Sequence, residues 1–115
     1  MDEFINVMKA LSDPNRVKML KMLQHRVLCV CELRAALRLA QPTVSKHLKI
    51  LEKAGLVSRK KEGLWGNYTI ADGDHSSYAA SLLGQLRHWL SDEPEIRVIT
   101  EQLSAIRRED ICRET

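Results

Sequence analysis

Two cysteines separated by a single valine, Cys29 and Cys31, are the groups in this 115-residue chain best suited to chemistry. Thiolates are soft donors, and a pair of them favours soft or borderline metal ions. Cys29 falls where a helix is expected to begin, three residues before Glu32. Ser, Thr or Asp normally fills that slot and forms a capping box with the glutamate. A cysteine there gives up a cap worth about 1 kcal/mol, and a locally unfavourable choice often marks a functional site. The same place lowers a thiol's pKa, because helix N-terminal N–H groups and the dipole stabilise a thiolate. Geometry sets a condition. Residues two apart on an ideal helix point about 200° away from each other. The pair chelates one ion only if the first turn distorts or stays unwound. The competing reading is two buried structural thiols.

The elements that must position this pair follow from hydrophobic spacing. Phe4, Ile5, Met8 and Leu11 give a first helix an apolar face. Asp13 and Pro14 suit the N-cap and first turn of a second, running to about Leu23. Its buried side is Val17, Leu20 and Leu23, with Arg16, Lys18 and Lys21 left for solvent or a DNA backbone. A third covers roughly Val30 to Leu39, and a fourth runs from Pro42 to Ala54 with Gly55 at its end. Two short helices joined by a tight turn, the second one basic, follow helix-turn-helix grammar. The period then changes. Leu56–Arg59 and Leu64–Ile70 flank Lys60-Lys61-Glu62-Gly63, which reads as a β-hairpin with a charged tip, a wing. Ser76 to Leu90 is again helical, and Pro94 separates a last helix striped by Ile96, Ile99, Leu103 and Ile106. A narrow stripe of that kind packs on another helix, within the domain or across a dimer seam.

Composition narrows the classes. The length is that of one domain, and no apolar run approaches the ~20 residues that span a bilayer. The acidic start Met1-Asp2-Glu3 does not read as a secretory signal, so a cytoplasmic location is expected. Aromatics, at 4%, are too few for base-stacking platforms. Three cysteines are an odd number and form no disulfide framework. Between Gln41 and Lys61 the cations Lys46, Lys49, Lys53, Arg59, Lys60 and Lys61 face one acid, Glu52. That is the footprint of a phosphate-binding face, against the alternative of a solvated lysine-rich helix. No phosphate loop or nucleophile–base motif supports an enzyme or a thiol carrier.

Taken together, these segments resemble the ArsR/SmtB family of metal-sensing repressors. The resemblance rests on Leu11-Ser12-Asp13-Pro14-Asn15-Arg16, Leu28-Cys29-Val30-Cys31-Glu32-Leu33, Gln41-Pro42-Thr43-Val44-Ser45-Lys46-His47-Leu48 and Ala54-Gly55-Leu56-Val57, in that order. It covers about Phe4 to Ile70 well, and the later helices by type alone. It implies a winged helix-turn-helix, mainly α with a small β-hairpin, in a homodimer with the N- and C-terminal helices at its interface. Residues 13–70 would form the winged-helix core of a single domain, 1–12 and 76–109 the dimerisation helices, and 110–115 a flexible tail. It further implies repression of a metal-resistance operon, with release from promoter DNA when metal binds. By similarity, Gln41, Thr43, Ser45, Lys46 and His47 lie nearest the major groove, and Arg59, Lys60 and Lys61 along the backbone or in the minor groove. The plainer alternative makes Gln41 and Thr43 helix caps and His47 a surface or packing residue.

In the arsenic-sensing branch the Cys-Val-Cys of this helix is followed three residues later by a third cysteine. Arg34 stands there in this chain. The remaining cysteine, Cys112, would reach the pair through the tail, from the same subunit or the partner. That makes a three-thiolate site suited to trivalent arsenic or antimony, with cadmium, lead or zinc as further candidates. His25 is a weaker ligand candidate for zinc or cadmium. DNA binding itself requires no cofactor in this reading. Asp72, Asp74, His75 and His88 do not keep the spacing of the family's other, C-terminal metal site, and read as helix entry and surface. The alternative function is a thiol-based redox or persulfide switch on the same fold, most plausibly through Cys112.

Overall fold

The computed structural model describes residues 1–62, 65–74 and 76–106. Among these residues six helices and a three-stranded sheet follow in the order α1 (Asp2–Ala10), α2 (Pro14–Leu23), β1 (Leu28–Cys29), α3 (Val30–Leu37), α4 (Gln41–Lys53), β2 (Val57–Glu62), β3 (Trp65–Ile70), α5 (Ser77–Leu86) and α6 (Pro94–Leu103). The helix boundaries have local causes. The Asp13 carboxylate accepts the amides of Asn15 at 2.8 Å and Arg16 at 3.2 Å, and Pro14 opens α2 where a missing N–H costs nothing. Gly55 adopts φ +80° just past α4, where a residue with a Cβ is disfavoured, and the chain turns into β2. Ser76 caps α5 by accepting the Ala79 amide.

The sheet is antiparallel in the order β1-β3-β2. Its register pairs Leu28 with Tyr68, Cys29 with Asn67, and Val57 with Ile70 through to Glu62 with Trp65. Two differences from the sequence expectation stand out. The hairpin pairs further than expected, so Lys60 and Lys61 are strand residues instead of a tip. A third strand, β1, joins the hairpin edge; at two residues it is too short to leave a period in the sequence.

The core is built from Met19, Leu20 and Met22 of α2, Leu33 of α3, and Val44, Leu48 and Leu51 of α4, with Val7, Leu28 and Leu56. Ile96, Ile99 and Leu103 of α6 are also buried, and α6 packs on α2 and α3 of its own chain. The apolar stripe of the last helix is therefore satisfied within the domain. Different apolar groups remain outside: Phe4, Ile5 and Met8 of α1, and Tyr78 of α5, are exposed. Phe4 and Tyr78 meet edge to face with ring centroids 5.3 Å apart, so α1 and α5 present one continuous apolar surface. The helix expected to reach Leu90 ends at Leu86, and Leu90 is exposed at φ 65°.

Lys21 corrects the expectation of a solvent- or DNA-facing cation. Its side chain is buried, and Nζ donates to the carbonyls of Leu86 at 2.7 Å and Trp89 at 2.9 Å and to Ser91 Oγ at 3.0 Å. Burial lowers its pKa. The ammonium closes the open carbonyls at the C-terminal end of α5, where a cation also complements the helix dipole. Helical spacing could not show this, because the whole run Met19–Leu23 is buried. Lys21→Met removes the donor from a buried carbonyl and is expected to cost about 1–3 kcal/mol. Urea unfolding monitors this, and an unchanged midpoint would mean that Lys21 does not fasten α5.

Candidate nucleic-acid interface and thiol site

Helix α4 buries Val44, Leu48 and Leu51 and turns its other faces outward. Gln41, Thr43, Lys46 and Lys49 are exposed, while Ser45 and His47 are half-buried. Residues four apart share a helix face, so Gln41, Ser45 and Lys49 form one row. His47 stands apart from that row. Its Nδ1 lies 3.2 Å from Arg16 Nη1, and Arg16 is itself fixed through the carbonyls of Ala10 and Lys9. Since guanidinium only donates, Nδ1 is the acceptor, and His47 ties α4 to the start of α2. Close by, burial pushes the Asp13 carboxyl upward. The Arg16 and Asn15 amides and the Arg16 charge outweigh it and leave the group below its ordinary value.

On the wing, Arg59 and Lys60 are exposed, and Lys61 lies in β2 beside Gly66 of β3. A Cβ placed on Gly66 would come 3.3 Å from Arg59 Nε; the glycine leaves room for the guanidinium to lie across β3. Burial raises the Tyr68 pKa, and the Arg59 charge partly offsets the rise.

The thiols sit where α3 begins. Cys29 is the N-cap, in extended backbone at φ −96° and ψ 170°, while Cys31 is in the helix. The 200° separation of an all-helical pair therefore does not apply, because one of the two residues precedes the helix. Cys29 and Glu32 form the reciprocal capping box, with the Cys29 N–H donating to Glu32 Oε1 at 2.9 Å. Sulfur takes the place that a serine oxygen would hold. The cap is thus kept in form, with a weaker acceptor.

Both cysteines line one groove of about 380 Å³. Gln41, Ser45 and Lys49 of α4 and Arg59, Gly66 and Tyr68 of the sheet line the same groove. The thiols and helix α4 thus border the same space. Lys49 was counted in the basic run but not singled out by sequence; its spacing from Gln41 and Ser45 was the available signal. His25 is not brought to the pair. It lines a separate groove with Lys21 and Ser91. Among the described residues no three His, Cys, Asp or Glu side chains gather as a metal-binding group. Cys112 and His75 lie outside the described residues. Asp72 accepts the Asp74 amide at 2.9 Å in a turn ahead of α5, and His88 is exposed, in keeping with helix entry and surface.

A helix-turn-helix whose second helix is exposed and cationic, followed at once by a β-hairpin, defines a winged helix-turn-helix protein of the DNA-binding class. Residues 13–59 match the profile of the bacterial regulatory protein arsR family. The arsenical resistance operon repressor of Escherichia coli is 30% identical over 101 residues, covering 87% of this chain and 84% of that protein. An uncharacterised HTH-type transcriptional regulator of Methanocaldococcus jannaschii is 46% identical over 67 residues, covering 57% and 75%. Among solved structures, the transcriptional repressor BigR of Xylella fastidiosa superimposes with TM-score 0.67 at 26% identity, over 81% of this chain and 88% of that one. The chain belongs to the ArsR family and is a transcriptional repressor, not an enzyme. No helix among the described residues is long and apolar enough to cross a membrane.

Proposed function

We propose that this repressor binds promoter DNA as a homodimer and leaves it when trivalent arsenic or antimony is captured by Cys29 and Cys31, with Cys112 as third thiolate. One observation carries the reading: Cys29 and Cys31 share a groove with Gln41, Ser45, Lys49 and Arg59. A ligand on the sulfurs occupies the space that α4 and the wing border. Adjustment of either cysteine moves the first turn of α3, which packs directly on α4. Effector and DNA then oppose each other through one coupling free energy, reciprocal by necessity. The dimer is supported by the apolar surface that α1 and α5 leave exposed, and the metalloid by the similarity to the arsenical resistance operon repressor of Escherichia coli.

Trivalent arsenic supplies an electrophilic centre that exchanges hydroxyl ligands for sulfur. Each thiol gives its proton to a departing hydroxide, so one water leaves per As–S bond and no electrons are transferred. The chain's part is to present the two sulfurs in one groove.

The test is binding to the protein's own promoter DNA in reducing buffer, with and without arsenite. Tight binding abolished by arsenite is the expected result. Binding that arsenite leaves intact would discard the metalloid assignment. Absence of binding at every salt concentration would discard the DNA-binding assignment.

A further inference from the structure

Arg16 fastens three helices to one another. Its backbone amide donates to the Asp13 carboxylate that caps α2. Its side chain reaches back to the end of α1, where Nε donates to the Ala10 carbonyl at 2.8 Å and Nη2 to the Lys9 carbonyl at 3.1 Å. The remaining nitrogen, Nη1, donates to His47 Nδ1 of α4 at 3.2 Å. Each guanidinium nitrogen thus has a partner within the chain, and the residue is half-buried. The sequence left Arg16 for solvent or a DNA backbone; the structure engages it inside the domain. The α1 carbonyls are those that a helix end leaves open, and a cation there also complements the helix dipole. Because the planar fork fixes the direction of each bond, the three contacts define one arrangement of α1 against α4.

The two helices have different duties. α1 carries Phe4, Ile5 and Met8 of the exposed apolar surface, and α4 carries the exposed Gln41, Thr43 and Lys46. In a two-fold dimer the distance between the two copies of α4 depends on how each is held against its own dimer-facing helix. Half-sites on DNA lie about one helical turn, roughly 34 Å, apart. One added base pair moves the second half-site by about 3.4 Å along the axis and turns it by about 34°.

We propose that Arg16 is a positioning residue for DNA reading: by clamping the end of α1 to His47 it fixes α4 relative to the dimer face and so sets the half-site spacing that the repressor accepts. This rests on the homodimer reading above. His47 is the acceptor on α4, with its ring proton on Nε2, and Arg16 makes no phosphate contact.

The experiment measures affinity at several salt concentrations for the operator in the protein's own promoter, and for versions with one base pair inserted at or removed from its centre. Wild type is expected to prefer the natural spacing by about 5- to 150-fold, the equivalent of one mismatched base pair. Arg16→Gln is expected to lose that preference, binding the natural spacing more weakly and the three spacings nearly alike. Its salt slope is expected to stay that of wild type, because no phosphate contact is lost. His47→Leu removes the acceptor and is expected to flatten the preference in the same way. His47→Asn keeps an acceptor oxygen near the place of Nδ1 and is expected to restore it. Should Arg16→Gln lose its thermal transition, Arg16→Lys carries the comparison, since it keeps the charge without the planar fork. Imidazole nitrogen NMR gives an independent readout: the Nε2–H tautomer of His47 in wild type, and a mixture in Arg16→Gln.

The failures are distinguishable. Wild type that binds all three spacings alike overturns the homodimer reading itself. A spacing preference that survives in Arg16→Gln overturns the role of Arg16, as does an Nδ1–H tautomer of His47 in wild type. A uniform loss of affinity in Arg16→Gln, with the salt slope lowered by about 0.9 per arginine removed, would make Arg16 a phosphate contact and overturn the positioning role.

Discussion

Replacing both Cys29 and Cys31 by serine is expected to leave a repressor that binds its operator normally and no longer leaves it when arsenite is added. The two halves of that outcome have separate causes. Serine oxygens are hard donors and do not replace thiolates on a soft centre. The allosteric term, typically 1–3 kcal/mol or 5- to 150-fold in DNA affinity, should disappear. Stability should not fall with it. Cys29 already occupies an N-cap with Glu32 in the reciprocal position, and Ser with Glu three residues on is the preferred form of that box. Cys29→Ser alone is therefore expected to raise stability, by up to about 1 kcal/mol. Fluorescence anisotropy on labelled operator gives the first quantity and urea unfolding the second. Arsenite release that survives in the double variant would move the effector site away from α3. A destabilised Cys29→Ser would mean that the thiol contributes packing that an oxygen cannot.

Much of this arrangement was legible in the sequence because it is written in local rules. Asp13-Pro14, Pro42 and Gly55 mark helix boundaries by backbone constraint alone, and the structure places the boundaries within a residue or two of them. The Cys29–Glu32 spacing gave the N-cap of α3 for the same reason. What sequence could not show depends on contacts distant along the chain. Lys21 looks like a surface cation until the carbonyls of Leu86 and Trp89 are brought over it. Arg26 donates to the carbonyls of Leu103 and Ile106, more than seventy residues away. Strand β1 exists only because Tyr68 and Asn67 offer an edge to Leu28 and Cys29. The groove joining the thiols to α4 and the wing is a product of that same pairing, since β1 draws Cys29 against β3. The site's composition was therefore readable from the motif, and its enclosure was not.

Replacing Lys60 and Lys61 by alanine is expected to weaken DNA binding to all sequences alike and to flatten its salt dependence. Both residues lie on β2, paired with Asn67 and Gly66 of β3, so the substitution removes charge from a strand whose backbone pairing is unaffected. A cation that neutralises a DNA phosphate releases counterions, and each such contact adds about 0.9 to the log–log slope of affinity against salt. If both lysines contact phosphate in each subunit of a dimer, the slope falls by about 3.6. Gln41→Ala makes the contrasting case. Gln41 is exposed on α4, and loss of a bidentate base contact costs about 1–3 kcal/mol at one base-pair position and little elsewhere. Titrations at several salt concentrations, on the operator and on unrelated duplex, separate the two. A changed slope with preserved sequence preference assigns the wing to the backbone. An unchanged slope in the lysine variant would remove the wing from the interface and leave α4 to bind DNA without it.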